Sequence, residues 1–366
     1  MPPPPQTPGK AWVLMDFQSG QVLAGHNEHE PLDPASLTKV MTSYVVAAEM
    51  AHGKIKPTDE VLISENAWRQ GGAGTEGSFS ALPVNGRVKI DDVIHGLVIQ
   101  SGNDAAIALA EHVAGTEQAF AALMNSYAQQ IGMRDSHFLN SHGLTVEGHR
   151  VSAYDMALLS RALVRDFPEH YAIYAIKDYT YNGIKQYNRN GLLWKDPSVD
   201  GVKTGHTEAA GYCLAASAKR GDQRLISVVM GIEGSRKEGF RQREDANLAL
   251  LNWGFRFFET HTVYTTDATV AEPKLWKGEQ DTVALGVAQP LLVTLPRGRY
   301  AEVQASMELP QQITAPLAKG QEIGRVKLML DGKPLADQAL VVKADMAEGG
   351  FFKRSMDGFW IWWESE

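Results

Sequence analysis

The texture of this chain breaks near Phe258, and no single fold suits what lies on both sides. Before the break, helical and strand patterns alternate. Residues 12–15 and 22–23 read as two strands. Asp33-Pro34-Ala35-Ser36 opens a helix whose Leu37, Val40, Met41, Tyr44, Val45 and Ala48 recur at helical period. Further helices are read at 104–112, at 119–130 and from Ser152, where Ser152 and Asp155 resemble a capping box. Residues 211–216 and 225–231 read as buried strands joined by a polar turn. After the break, short β-like runs at 283–285, 291–293, 302–304, 326–328 and 340–342 are separated by turn residues, with Asp331-Gly332 a strong hairpin signal. The expected architecture is α+β: an extended tail over 1–10, a large domain over 11–260, a small all-β domain over 261–347, and a helix over 348–366.

Composition removes several function classes. The 366 residues carry a net charge of −8, and nucleic-acid binding needs a basic face. No run of eighteen apolar residues is present to span a bilayer as a helix. The lone cysteine, Cys213, excludes an internal disulfide and a thiolate-rich metal site, and its strand context marks a small core residue. Met1-Pro2-Pro3-Pro4-Pro5 is a stiff, extended start, and no charged leader followed by an apolar run is read as a secretory signal. At the other end, Phe352, Met356, Phe359, Trp360 and Trp363 fall on one side of a helical plot. Lys353, Arg354, Asp357 and Glu364 fall on the other, interrupted by Ile361. That pattern predicts an amphipathic helix for a membrane interface; docking on its own β domain and an oligomer contact are the alternatives.

Three short motifs carry chemistry. Ser36-Leu37-Thr38-Lys39 sets a hydroxyl and an amine on one face of a helix start. Serine becomes a nucleophile when a neighbouring base takes its proton, and an amine serves if burial or a second cation depresses its pKa. Backbone N–H groups at the helix start suit a developing oxyanion. Ser101-Gly102-Asn103 follows an apolar run and precedes a helix, so its hydroxyl and amide can relay a proton and hold a substrate amide. Ser64-Glu65-Asn66 shows the same pattern and reads as a loop or helix cap. Lys203-Thr204-Gly205 precedes a strand and offers an ammonium, a hydroxyl and close backbone approach to a ligand carboxylate. Gly72-Ala73-Gly74-Thr75-Glu76-Gly77 reads as a flexible loop. His26-Asn27-Glu28-His29-Glu30 reads as a solvated turn rather than a metal site, and His142 as a turn-ordering residue.

The order of the motifs, their spacings of about 65 and 102 residues, and their placement on helix start, loop and strand are together specific. With Asn188-Arg189-Asn190-Gly191-Leu192-Leu193-Trp194, Asp200-Gly201-Val202-Lys203-Thr204-Gly205-His206-Thr207 and Trp253-Gly254-Phe255-Arg256-Phe257-Phe258-Glu259, the chain resembles the serine penicillin-recognising enzymes. Within them it is similar to the low-molecular-mass penicillin-binding proteins, the D-alanyl-D-alanine carboxypeptidases of the type 5 group. That resemblance implies a β-lactamase/transpeptidase-like domain, a five-stranded antiparallel sheet between helices, followed by the all-β domain. It implies that Ser36 forms the acyl-enzyme, Lys39 is its base and Ser101 passes a proton to the leaving amine. Asn103 would bind the substrate amide, Lys203 supply positive potential, and Thr204 contact the terminal carboxylate near Arg189 and Arg243. Backbone N–H groups of Ser36 and His206, beside Gly205, would form the oxyanion hole. The implied partners are stem peptides ending in D-Ala-D-Ala, β-lactams and, through the final helix, the periplasmic side of a bacterial cytoplasmic membrane. No metal or organic cofactor is expected. Ser78-Phe79-Ser80-Ala81-Leu82 departs from the family's wording in the loop bordering the site. The rivals are a β-lactamase of the same fold, whose class A members carry Asp where Gly102 stands, and a catalytically silent wall-binding scaffold.

Overall fold

A computed structural model of the chain describes residues 1–364, leaving aside the side chains of residues 358 and 360–364. The expected Trp360, Ile361, Trp363 and Glu364 positions therefore lie outside the described side chains. Two compact units emerge, Met1–Arg256 and Phe257–Glu366, so the division falls at 256/257 rather than 260/261. The strand after the long last helix of the first unit pairs within the second unit, which moves the boundary.

The first unit is built on strands β1 (Ala11–Asp16), β2 (Val22–His26), β3 (Val199–Thr207), β4 (Gly211–Arg220) and β5 (Gln223–Ile232). They form one antiparallel sheet in the order β2-β1-β5-β4-β3, leaving β3 as an edge. Strand alternation divides its two faces. Ala11, Val13 and Met15 join the main core with helices α1 (Thr38–Ala51), α2 (Asn103–Ala114), α3 (Glu117–Ile131) and α4 (Ala153–Asp166). Leu14 points the other way, onto Gly254 of α5 (Arg236–Phe257), where a Cβ would stand 2.8 Å from its Cδ2. The charge run at the start of α5 hid its apolar stripe from sequence reading.

Ser152 caps α4 as expected, its Oγ accepting from Asp155 N at 3.1 Å. The return half of a capping box is missing, because the Asp155 carboxylate instead takes Asp135 N and Ser136 Oγ. Ser64 likewise caps a short helix, Glu65–Gly71. The proline-rich start is held by the body of the unit: Trp253 Nε1 donates to Pro2 O at 3.2 Å.

Where a single apolar stripe was expected on α1, the structure buries it from Thr38 to Glu49 on every side. Its polar side chains survive burial because each has a partner. Thr42 Oγ1 donates to Ser141 O, Ser43 Oγ meets His170 Nε2, and Glu49 accepts from Tyr127 and Lys54.

In the second unit β6 (Phe258–Tyr264) pairs with β8 (Leu291–Pro296), and β7 (Leu285–Val287), β9 (Gln304–Glu308), β10 (Glu322–Leu330) and β11 (Lys333–Val342) form a sheet in the order β7-β11-β10-β9. Val326, Leu328 and Leu330 alternate into its core. Asp331 and Gly332 close the β10–β11 hairpin with φ of 52° and 72°, the left-handed pair that a two-residue turn requires. Helix α6 (Phe351–Glu364) follows. Its polar side faces its own unit, with Lys353 on Asp281 and Asp357 Oδ2 accepting from Lys277 N at 2.6 Å. Phe351, Phe352, Met356 and Phe359 are left exposed.

Candidate active site

The sequence places Ser36 at a helix start, and the structure refines this. Ala35–Leu37 form a 3-10 turn that runs into α1. Ala35 is forced to a φ of 47°, a strained value for a residue with a Cβ. Two glycines permit the turn to be packed from both sides. A Cβ on Gly205 of β3 would stand 2.9 Å from Pro34 O and 3.3 Å from Leu37 N. A Cβ on Gly143 would collide with Ala35 O, and its φ is +91°. The nucleophile turn is thus wedged between the sheet edge and the 141–143 turn.

Lys39 lies one turn further along, 1% exposed. Its Nζ is 2.9 Å from Ser36 Oγ, 2.7 Å from Asn103 Oδ1 and 2.8 Å from His142 O. None of these partners is anionic. Burial pulls the amine down to about 7, against an opposing pull from Asp104. In the neutral form two N–H groups meet the Asn103 and His142 oxygens, and the lone pair faces the serine hydroxyl. His142 orders its turn as expected, with Leu144 N donating to Nδ1 at 3.1 Å, and its carbonyl becomes part of the lysine's setting. Beside it His149, held neutral by burial at about 4, receives Leu139 N on Nδ1 and so donates from Nε2 to Thr38 Oγ1.

Ser101 sits at the end of a π-helical turn, Gly96–Gln100, at a φ of 67°, with its side chain lining the catalytic cavity. Asn103 takes a role the sequence did not suggest. Both ends of its amide are engaged, Oδ1 by Lys39 and Nδ2 by Glu76 O at 3.0 Å, so it positions the base and the bordering loop. The next residue completes this clamp. Asp104, 1% exposed, accepts N–H groups from Ser80, Leu82 and Ala105, while Asn103 N donates to Ser78 O. An acidic residue in the first turn of a helix was the available signal. Gly102 packs closely here: a Cβ would stand 1.9 Å from Ser80 Oγ and displace the Ser80 and Asp104 side chains.

Ser36, Ser101, Thr204, Gly205 and His206 meet in one cavity of about 320 Å³ with Gly77 and Ser78 of the loop. Arg189 and Arg243 line it too, joined by Arg236 and Phe240 of α5, which sequence reading missed. No carboxylate lines this cavity among the described residues. Lys203 is buried beneath the wall, its Nζ 3.3 Å from Thr204 O. Burial, and then Lys39, Arg189 and Arg243, hold its ammonium well below the ordinary lysine range. A chain of net charge −8 thus sets Arg189, Arg236 and Arg243 around one opening, which suits an anionic ligand end. Cys213 is a core residue on β4, its thiol pushed up to about 11 by burial. His29 pairs with Asp135 at 2.7 Å, and no cluster of three metal-ligating side chains occurs among the described residues.

Comparison with known proteins agrees with this assembly. The family described as D-alanyl-D-alanine carboxypeptidase matches residues 1–234, and the penicillin-binding protein 5 C-terminal domain matches residues 258–348. The chain is 47% identical to D-alanyl-D-alanine carboxypeptidase DacC of Escherichia coli (strain K12), over 96% of this chain and 88% of that protein. It is 44% identical to DacA of the same strain, over 98% and 88%. The crystal structure of penicillin binding protein 5 from Haemophilus influenzae superposes with a TM-score of 0.89 at 43% identity, covering 95% of this chain and 100% of that one. With the likeness running through both units and all three motifs gathered at one cleft, the chain belongs to the D-alanyl-D-alanine carboxypeptidase family and is a serine D-Ala-D-Ala carboxypeptidase of the penicillin-binding protein 5 type.

Proposed function

We propose that Ser36 attacks the carbonyl carbon of the penultimate D-alanine while Lys39 takes its hydroxyl proton. The single observation that carries this reading is the buried Lys39 amine 2.9 Å from Ser36 Oγ, with two neutral oxygens to satisfy its N–H groups. Backbone N–H groups of Ser36 and His206 stabilise the oxyanion that forms. Collapse breaks the carbon–nitrogen bond, and Ser101 delivers a proton to the departing amine. Thr204, Arg189 and Arg243 hold the terminal carboxylate, with Lys203 beneath the wall adding positive potential, and its charge supplies the counter-ion that the cavity lacks. Water then attacks the ester, freeing the shortened peptide and restoring Ser36. β-Lactams acylate the same hydroxyl. The β-lactamase reading loses ground at Gly102, which stands where class A members carry Asp.

The decisive assay is release of D-alanine from diacetyl-Lys-D-Ala-D-Ala. Wild type releases it, and Ser36→Ala does not. Lys39→Ala keeps its fold yet fails to take up fluorescent penicillin; normal labelling of that variant would remove Lys39 from its role. The wild-type penicillin adduct persists for minutes, whereas rapid turnover of nitrocefin would favour the β-lactamase.

The working place of this enzyme, in this reading, is the periplasmic face of the bacterial cytoplasmic membrane, where trimming of stem peptides bears on cell shape. Support comes from α6, whose apolar residues Phe351, Phe352, Met356 and Phe359 are exposed while Lys353, Arg354 and Asp357 are spent on its own unit. No helix among the described residues is long and apolar enough to cross a membrane, so attachment would be interfacial. Deleting residues 350–366 should abolish sedimentation with anionic lipid vesicles and leave peptide hydrolysis intact. Vesicle binding that survives the deletion would rule α6 out as the anchor.

A further inference from the structure

The catalytic cavity continues past Arg189. A second groove of about 460 Å³ opens beside it, and three separate chain segments pass from one into the other. Ser78 lines the first and Phe79 the second; Ser101 lines the first and Gln100 the second; Arg189 lines both. The remaining wall is the hairpin of Asp178–Tyr181 and Ile184–Tyr187. Gln186 Nε2 ties this hairpin to the catalytic loop by donating to Ser80 O at 3.0 Å, so the two walls are joined rather than merely adjacent. Phe79, Ile184 and Tyr187 give the groove an apolar and aromatic character, and all three are exposed. Its charges are Lys185, which also pairs with Asp178 at 3.2 Å, and Arg189; no carboxylate lines it among the described residues.

The junction fixes which part of a substrate would face this groove. In the catalytic reading above, on which this inference rests, Ser101 serves the departing amine and Arg189 the terminal carboxylate. The α-carbon of the departing residue lies between those two groups, and the gap between the Gln100–Ser101 segment and Arg189 opens beside that axis, within reach of its side chain. A D-alanine methyl group leaves most of that space empty.

We propose that this groove is a subsite for the side chain of the departing residue, and that the enzyme releases C-terminal D-amino acids with long apolar or aromatic side chains as well as D-alanine. The bond broken is unchanged. Water adds across the carbonyl–nitrogen bond after the penultimate D-alanine, and the larger D-amino acid leaves with the proton. The two cations, Lys185 and Arg189, disfavour a basic side chain there.

The test compares kcat/KM for diacetyl-Lys-D-Ala peptides ending in D-Ala, D-Leu, D-Phe or D-Lys. Wild type should cleave the D-Leu and D-Phe peptides within tenfold of the D-Ala peptide, and the D-Lys peptide more slowly than either. Tyr187→Ala, alone and with Ile184→Ala, should lose at least fivefold on D-Leu and D-Phe while D-Ala is unchanged. Both side chains are exposed, so folding is preserved. A penalty beyond tenfold on both bulky peptides, or variants that slow all four alike, overturns the subsite while leaving the catalytic assignment standing. Failure of wild type on the D-Ala peptide takes down both.

Discussion

The two units of this chain bury different things. The first hides Lys39, Ser101, Asn103, Asp104, His149, Lys203 and Arg243 inside a large apolar core, whereas in the second Thr294 is the sole buried polar side chain among the described residues. Burying a polar or charged group is unfavourable unless partners are supplied, so the first unit is committed to an arrangement that meets groups such as Lys39, Asn103 and Asp104. The second holds together by strand alternation around Val326, Leu328 and Leu340, and its ion pairs, such as Arg299 with Asp331 and Arg325 with Asp337, lie on its surface. The difference separates what each unit tolerates: precise placement matters in one, packed volume in the other.

That contrast can be broken at several points. The largest expected effect is Gly205→Val, which pushes a side chain into Pro34 O and Leu37 N and shifts the Ser36 turn. Loss of about 10²-fold or more in kcat/KM is expected for such a displacement, with the circular dichroism spectrum retained; near-normal D-alanine release would mean the turn does not need its wedge. Leu328→Ala, at a fully buried position of the second unit, should lower stability by about 2–5 kcal/mol in urea titrations without changing turnover per folded molecule. Reduced turnover at full folding would show that the second unit reaches the chemistry.

Asp104→Asn sharpens the comparison further. An amide cannot accept from Ser80, Leu82 and Ala105 together, so the bordering loop loosens and acylation by penicillin slows about tenfold. Wild-type acylation should rise with pH through about 7 as Lys39 loses its proton. Asp104 raises that value, so in the variant the rise moves to lower pH. An unmoved rise would reduce Asp104 to a loop anchor. Smallest of all, the tip of the β10–β11 hairpin should feel Gly332→Ala, at a φ of 72°, as roughly 1 kcal/mol of stability, read from the urea midpoint.

Much of this was legible in the chain. The three motifs, the hairpin at Asp331-Gly332, the caps at Ser64 and Ser152 and the two-part texture are local patterns, set by neighbours within one helical turn or one strand. The extent of α5 was obscured because charged residues crowd its first turns, and Arg236 and Phe240 went unnoticed with it. Asn103 was assigned to substrate, yet its amide spans 64 residues to grip Lys39, and the His142 carbonyl reaches the same amine across 103.

Residue types and their periodicity determined that a hydroxyl, an amine and a distant ammonium were present, and on which elements. Only chain folding decided that the amine would lose its water and meet two neutral oxygens from far segments. A pKa depends on what surrounds the group in space, and that surrounding comes from parts of the polymer that no local pattern records.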